Sequence, residues 1–165
     1  MKYCLLFVAA LFVLGSCEKV EVPVSKAQML RDNRWKVSDM KMTYLTSTGG
    51  DSLSESTIKL PPDFKLPDCI VDDYLQFREN HDGSHIPGPD KCKTGESEDI
   101  YFEWGLTEND TKIYLYGMES LFGRDIDGDV VEITDSKFTF SYFATKMNSA
   151  NEPEKVKMTA YFVKK

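Results

Sequence analysis

The side chains able to do chemistry gather in a few short stretches. Asp125, Asp127, Asp129 and Glu132 fall within one run of eight residues. Oxygen ligands this dense suit calcium, but an EF-hand loop wants glycine sixth and glutamate twelfth. Here Gly128 is fourth and Glu132 eighth. The same run reads more simply as a hairpin whose Asp127-Gly128 supplies the positive φ angles of a type I′ turn. Asp72-Asp73 offers a carboxylate pair for acid–base work. No nucleophile or oxyanion donor stands beside it in the sequence, so one of the two is expected to accept backbone N–H groups in the turn after Cys69. His81 and His85 are of the type that titrates near neutrality, and their surroundings read as a solvated loop. No Gly-x-Ser-x-Gly, phosphate loop or His-Glu-x-x-His motif occurs. Neither an enzyme nor a cofactor or metal site is expected.

The cysteines have separate fates. Residues 1–17 (MKYCLLFVAALFVLGSC) carry Lys2, an apolar run from Cys4 to Leu14, and small residues before Cys17. That is the layout of a secretory signal. As a helix the run spans about 16 Å at ~1.5 Å per residue, too short for a hydrocarbon core of ~30 Å. Leu14-Gly15-Ser16-Cys17 resembles the lipobox of bacterial lipoprotein precursors. That resemblance implies a diacylglycerol thioether on Cys17, cleavage before it, and acylation of the new amino terminus. Cys4 leaves with the signal, and Cys69 and Cys92 remain. An even pair in an exported chain points to a disulfide. The chain-entropy model gives such a bridge about 3.4 kcal/mol. A metal site competes, because His81 and His85 lie between the two cysteines. Asn80, Asp82, Gly83, Pro87, Gly88 and Pro89 make that stretch a poor helix, and no Cys-x-x-Cys accompanies it. The disulfide is the stronger expectation.

Removing residues 1–16 from 165 leaves 149, and the charge becomes 19 − 27 = −8. A chain of this size forms one domain and buries about 70% of its unfolded surface. The acidic balance argues against nucleic acid and against electrostatic docking to anionic lipid. Membrane attachment then rests on the acyl chains.

These side chains need elements to position them. Residues 17–24 read as a lipidated tether and 25–165 as the folded domain. Ser25-Lys26-Ala27-Gln28 fits a capping box, which predicts a short helix over 26–32; a weaker candidate lies at 118–122. The rest alternates as strands do: 35–45, a short strand ending at 58–60, 73–79, 99–106, 111–117, 129–134, 137–144 and 155–163. Within 35–45 the apolar set changes parity near Asp39, which predicts a bulge. Phe102, Trp104, Phe138, Phe140 and Phe162 take core parities; Tyr101, Tyr114, Tyr116 and Tyr161 take the opposite ones. Eight strands joined by short turns favour antiparallel neighbours. With one apolar face to cover and two edges to pair, an up-and-down barrel is the expected solution.

The order of lipobox, short helix, Leu30 with Trp35, Cys69-Ile70-Val71-Asp72-Asp73 before Leu75 and Phe77, then Cys92 and Phe102-Glu103-Trp104, resembles the small lipocalin-like lipoproteins of Gram-negative bacteria. The likeness covers roughly residues 26–163. It implies an eight-stranded lipocalin-like barrel with a short N-terminal helix, a Cys69–Cys92 bridge and a cavity for a small hydrophobic ligand; Trp35, Asp72 and Asp73 are read as structural residues. Lipocalins proper have Gly-x-Trp at the first strand, where this chain has Asn33-Arg34-Trp35. They also have a late-strand arginine over the tryptophan, where this chain offers lysines such as Lys157 and Lys164.

The expected function is lipid-anchored, non-catalytic binding in the cell envelope, at the outer membrane and facing the periplasm or the exterior. A small hydrophobic ligand would lie among Phe77, Phe102, Trp104, Leu115, Phe138 and Phe140. The rival is a solid-core module that binds a protein or glycan through its outer face or loops. If Cys17 carries the anchor, Cys17→Ala moves the protein from the membrane pellet to the soluble fraction; a variant that still sediments with membranes refutes the anchor.

Overall fold

The computed structural model describes residues 23–47, 53–56, 67–92, 94–95 and 97–165; Cys17 and the strand end expected at 58–60 lie outside them. The elements run α1 (Lys26–Asp32), β1 (Arg34–Ser47), β2 (Leu53–Ser56), α2 (Asp68–Val71), β3 (Tyr74–Phe77), β4 (Asp82–Ile86), β5 (Ile100–Thr107), β6 (Lys112–Tyr116), α3 (Glu119–Phe122), β7 (Ile126–Ile133), β8 (Lys137–Met147) and β9 (Pro153–Lys164). Every pairing is antiparallel between chain neighbours from β3 to β9. β1 then pairs with both β3 and β9. The result is a closed eight-stranded up-and-down barrel. β2 stands outside the ring, hairpinned onto the far end of β1 from Tyr44↔Ser56 to Ser47↔Leu53.

The predicted parity change in β1 is a register shift between Val37 and Asp39. Before it Val37 sits opposite Phe162; after it Met40, Met42 and Tyr44 sit opposite Ala160, Met158 and Val156. One extra residue thus keeps the apolar set facing inward along a strand that bends around the barrel.

α1 begins as its sequence indicates. The Ser25 hydroxyl accepts the Gln28 N–H at 3.2 Å. Only half of the capping box forms, because the Gln28 side chain reaches forward to Asp32 instead. α1 lays Leu30, fully buried, against the barrel, and the Leu30 carbonyl accepts the Trp35 indole N–H at 2.9 Å. The Phe138 ring meets the Trp35 indole edge-on at 5.8 Å.

The eighth barrel strand is β4, in a stretch that reads as loop. Asn80 and His81 both adopt left-handed φ (59° and 66°) and form the two-residue turn from β3. Asparagine and histidine enter that region more readily than most residues, so the turn forms without glycine. Gly83 looks like a strand breaker. Instead its missing side chain is the seat of the Phe102 ring, which a Cβ there would meet at 2.3 Å. The expected Asp127-Gly128 turn is likewise corrected: both residues lie inside β7, opposite Tyr114 and Ile113. The reversal into β7 uses α3, closed by Gly123 at φ 71°.

Cys69 and Cys92 are bridged, with Cα atoms 5.1 Å apart. The bond ties α2 to the segment after β4. Cys69→Ser with Cys92→Ser is expected to lower the unfolding free energy by about 3 kcal/mol, read as a lower urea midpoint, with the folded circular-dichroism spectrum kept below the transition.

Candidate functional site

The six proposed lining residues all face inward, and each is at most 4% exposed. Five of them, all but Leu115, form one connected cluster of rings. The Phe77 ring lies 5.6 Å from Phe102, 5.0 Å from Trp104 and 5.7 Å from Phe138, each nearly perpendicular. Phe138 continues to Phe140 at 5.4 Å, and Phe140 stacks on Phe162 at 5.7 Å. Edge-to-face pairs at these distances are the favoured geometry for quadrupolar rings. The Trp104 indole N–H donates to the Asp82 carbonyl at 2.8 Å, so the polar atom in this cluster is satisfied.

Asp73, His85 and Ser120 come together although the sequence separates them. His85 is not a solvated loop residue: it faces inward on β4, opposite Leu75, and is 2% exposed. Its Nε2 lies 2.7 Å from Asp73 Oδ2, and its Nδ1 lies 3.2 Å from Ser120 Oγ. With the proton on Nε2 donated to Asp73, Nδ1 accepts from the serine hydroxyl. That is the composition of a hydrolytic triad with the imidazole turned end for end. Acyl transfer also needs oxyanion donors and space. The Leu121 and Phe122 N–H groups already donate to the Met118 carbonyl, and Gly123 N–H to Glu119. The recess beside Asp73 and His85, walled by Trp35, Val37, Leu75 and Leu121, has no room for a water molecule. The trio is best read as a polar tie between β3, β4 and α3.

The Asp72-Asp73 pair does accept backbone N–H groups, but not in its own turn. Asp73 Oδ1 takes Gly88 N–H at 2.7 Å and Asp72 Oδ2 takes Asp90 N–H at 3.0 Å. Both carboxylates therefore fasten the segment after β4, alongside the disulfide. Residue parity would have exposed His85 had β4 been recognised; no local signal marks Ser120.

The outer face of the barrel holds a groove of about 380 Å³, with walls that include Thr107, Glu108, Lys112, Tyr114, Tyr116, Asp127, Asp129 and Phe143. That volume is in the ~300–1,000 Å³ range of small-ligand sites. Alternation puts Lys112, Tyr114 and Tyr116 outward on β6, while Ile113 and Leu115 face the core. Tyr114 lies across Gly105, where a Cβ would stand 2.5 Å from its ring. Its far edge approaches His81, ring centres 6.4 Å apart and roughly parallel. Tyr116 tilts against Tyr114 at 4.9 Å and is 40% exposed. The Tyr116 hydroxyl donates to Asp127 at 3.0 Å. That bond, with desolvation adding to it, raises the phenol pKa above its ordinary value. Lys112 pairs with Asp129 across the strands, and the hydrogen bond to that carboxylate raises the ammonium pKa. Tyr101 repeats the device with Asp82 at 2.7 Å. A second recess of about 190 Å³ lies between α1 and the β3–β4 turn, lined by Ala27, Arg31, Arg78 and His81 among others.

The Asp125–Glu132 carboxylates are thus dispersed. Asp125 accepts Gly117 N–H, Asp127 the Tyr116 hydroxyl and Asp129 the Lys112 ammonium. Among the described residues no three or more His, Cys, Asp or Glu side chains converge as metal ligands would. No protein-family model matches the chain, and no curated protein matches it.

Beneath the groove, burial pushes the Tyr142 phenol up to about 12, against a smaller opposing effect of Arg124. The unfolded phenol titrates near ~10. Folding therefore keeps a proton that the unfolded chain loses, and stability falls as pH rises from about 10 through about 12. Tyr142→Phe is expected to flatten that alkaline fall by about 1.4 kcal/mol, measured by urea unfolding at pH 8 and pH 11. An unchanged pH slope would show that Tyr142 is not the titrating group.

Proposed function

We propose that this chain is a lipid-anchored, non-catalytic binding protein of the bacterial cell envelope, of the lipocalin-like lipoprotein type. It recognises its ligand through the outer-face groove over β5–β8 rather than inside the barrel. Anchoring rests on Leu14-Gly15-Ser16-Cys17 after an apolar run too short to span a bilayer. Placement at the outer membrane, facing the periplasm or the exterior, follows from the resemblance to Gram-negative lipoproteins.

One observation carries the choice of face. The residues that would have lined an internal cavity are used up in contacts with one another, Phe77 touching three other rings at 5.0–5.7 Å. Admitting a ligand among them means separating edge-to-face pairs worth roughly 0.5–1.5 kcal/mol each. The outer groove needs no such opening. Tyr116 is already exposed and is held by Asp127, and the half-buried Tyr114 is seated over Gly105.

The two faces are separated by titrating the purified mature protein with a fluorescent fatty acid. No saturable, oleate-displaceable signal is expected. Displaceable binding that weakens in Phe102→Ala would restore the interior site and overturn this reading.

A further inference from the structure

We infer that the groove over β6 and β7 takes an uncharged oligosaccharide, with one pyranose ring lying on the Tyr116 ring that Tyr114 backs. This rests on the outer-face reading and names its ligand class. A pyranose is amphipathic in a particular way. Axial C–H bonds make one face apolar and slightly positive, and hydroxyls ring the edge. The groove is built with the complementary division. Its floor offers the exposed Tyr116 ring, backed by Tyr114 with centres 4.9 Å apart, and the negative face of an aromatic quadrupole attracts C–H groups. Its walls offer hydroxyl and carboxylate partners: Thr107, Glu108, Asp127 and the Lys112–Asp129 pair. Hydrogen bonds from sugar hydroxyls to ionised carboxylates are the strong, charge-assisted kind.

The platform is also fixed before any ligand arrives. Tyrosine has few rotatable bonds to immobilise. Here Tyr116 is held by its bond to Asp127, and Tyr114 is seated on a position where only glycine leaves space for it. Ordering costs on binding are correspondingly small.

Charge decides which sugars fit. The groove walls hold three carboxylates, Glu108, Asp127 and Asp129, against one ammonium, Lys112, which already pairs with Asp129. The whole chain is at −7. Uronates and sulfated or phosphorylated glycans meet repulsion from all of these, whereas neutral sugars do not. A protein partner fits less well, because the centres of protein interfaces are depleted in charged residues and here such residues form the walls.

The test is affinity electrophoresis of the purified mature protein in native gels containing a β-glucan, a xylan, a mannan, an α-glucan or polygalacturonate. At least one neutral polymer is expected to retard migration, and polygalacturonate is not. Tyr116→Ala should weaken that retardation about tenfold, equivalent to about 1.4 kcal/mol. Tyr116→Phe, which keeps the ring and loses only the bond to Asp127, should retain most of it. Tyr116 is on the surface, and matching thermal melts of the two variants check the fold. Passage through all four neutral gels without retardation, retardation by polygalacturonate alone, or indifference to Tyr116→Ala would each overturn the sugar assignment. Those failures leave the absence of fatty-acid binding intact. Displaceable fatty-acid binding would instead overturn the outer-face reading, whatever the gels show.

Discussion

The structure depends on one strand being claimed from both sides. β1 pairs with β3 through Arg34–Lys36 and with β9 from Trp35 to Tyr44. Only where both pairings hold is the sheet a ring without free edges. The bulge at Val37/Asp39 lies just beyond the three residues shared with β3, where β1 must turn to follow β9. Trp35 sits at the junction itself: its backbone pairs with Leu75 on one side and Lys164 on the other. Its indole N–H is capped by the Leu30 carbonyl of α1. Helix, closure and core therefore meet in one fully buried side chain, whose ring Phe138 meets edge-on.

Closure fixes which face is free to work. The interior of an eight-stranded ring is narrow enough for side chains to fill, and here the Phe77, Phe102, Trp104 and Phe138 rings meet within it. Two glycines on adjacent strands show the same packing rule on opposite sides of the sheet. Inward Gly83 on β4 gives its place to Phe102, and outward Gly105 on β5 gives its place to Tyr114. The first substitution fills the interior. The second lays a tyrosine flat against the exterior and turns an ordinary cross-strand neighbour into the start of an aromatic floor. Aromatic side chains thus complete the core and build the outer groove by one device, with only the parity reversed.

Alternation is a backbone property, so whatever it governs could be read from the chain: the helix at 26–32, the bulge near Asp39, the inward rings, and the outward Tyr101, Tyr114 and Tyr116. The Cys69–Cys92 bridge was legible for a different reason, as the pair left over once Cys4 is read as part of a signal and Cys17 as an anchor. What stayed hidden depends on contacts remote in sequence. β4 carries Gly83 and follows two left-handed non-glycine residues, Asn80 and His81, so locally it reads as loop; Phe102, nineteen positions on, makes it a strand. Asp127-Gly128 has turn chemistry, but pairing with Ile113 and Tyr114 overrides it. The Asp73–His85–Ser120 tie needs the β3–β4 register and α3 together, and no spacing announces that.

That tie, with the disulfide, addresses a weakness peculiar to this barrel. β3 and β4 are only four and five residues long, so their side of the ring has few ladder hydrogen bonds. The segment after β4 is fastened by covalent and polar bonds instead: Cys92 to Cys69, Gly88 N–H to Asp73, Asp90 N–H to Asp72. Gly88 has no side chain because the Asp72 carboxylate occupies that place; a Cβ would lie 2.0 Å from its oxygen. The polar arrangement is not the most stabilising way to fill such a site. Asp72 Oδ1 is buried with no hydrogen-bond partner, which costs roughly 1–3 kcal/mol, and apolar replacements of buried ionic groups are often neutral or better. Directional bonds, however, admit a single register, whereas an apolar patch would tolerate a slipped one that turns every side chain of a short strand over. On that argument Asp72, Asp73 and His85 serve to specify the closure of the ring more than to strengthen it.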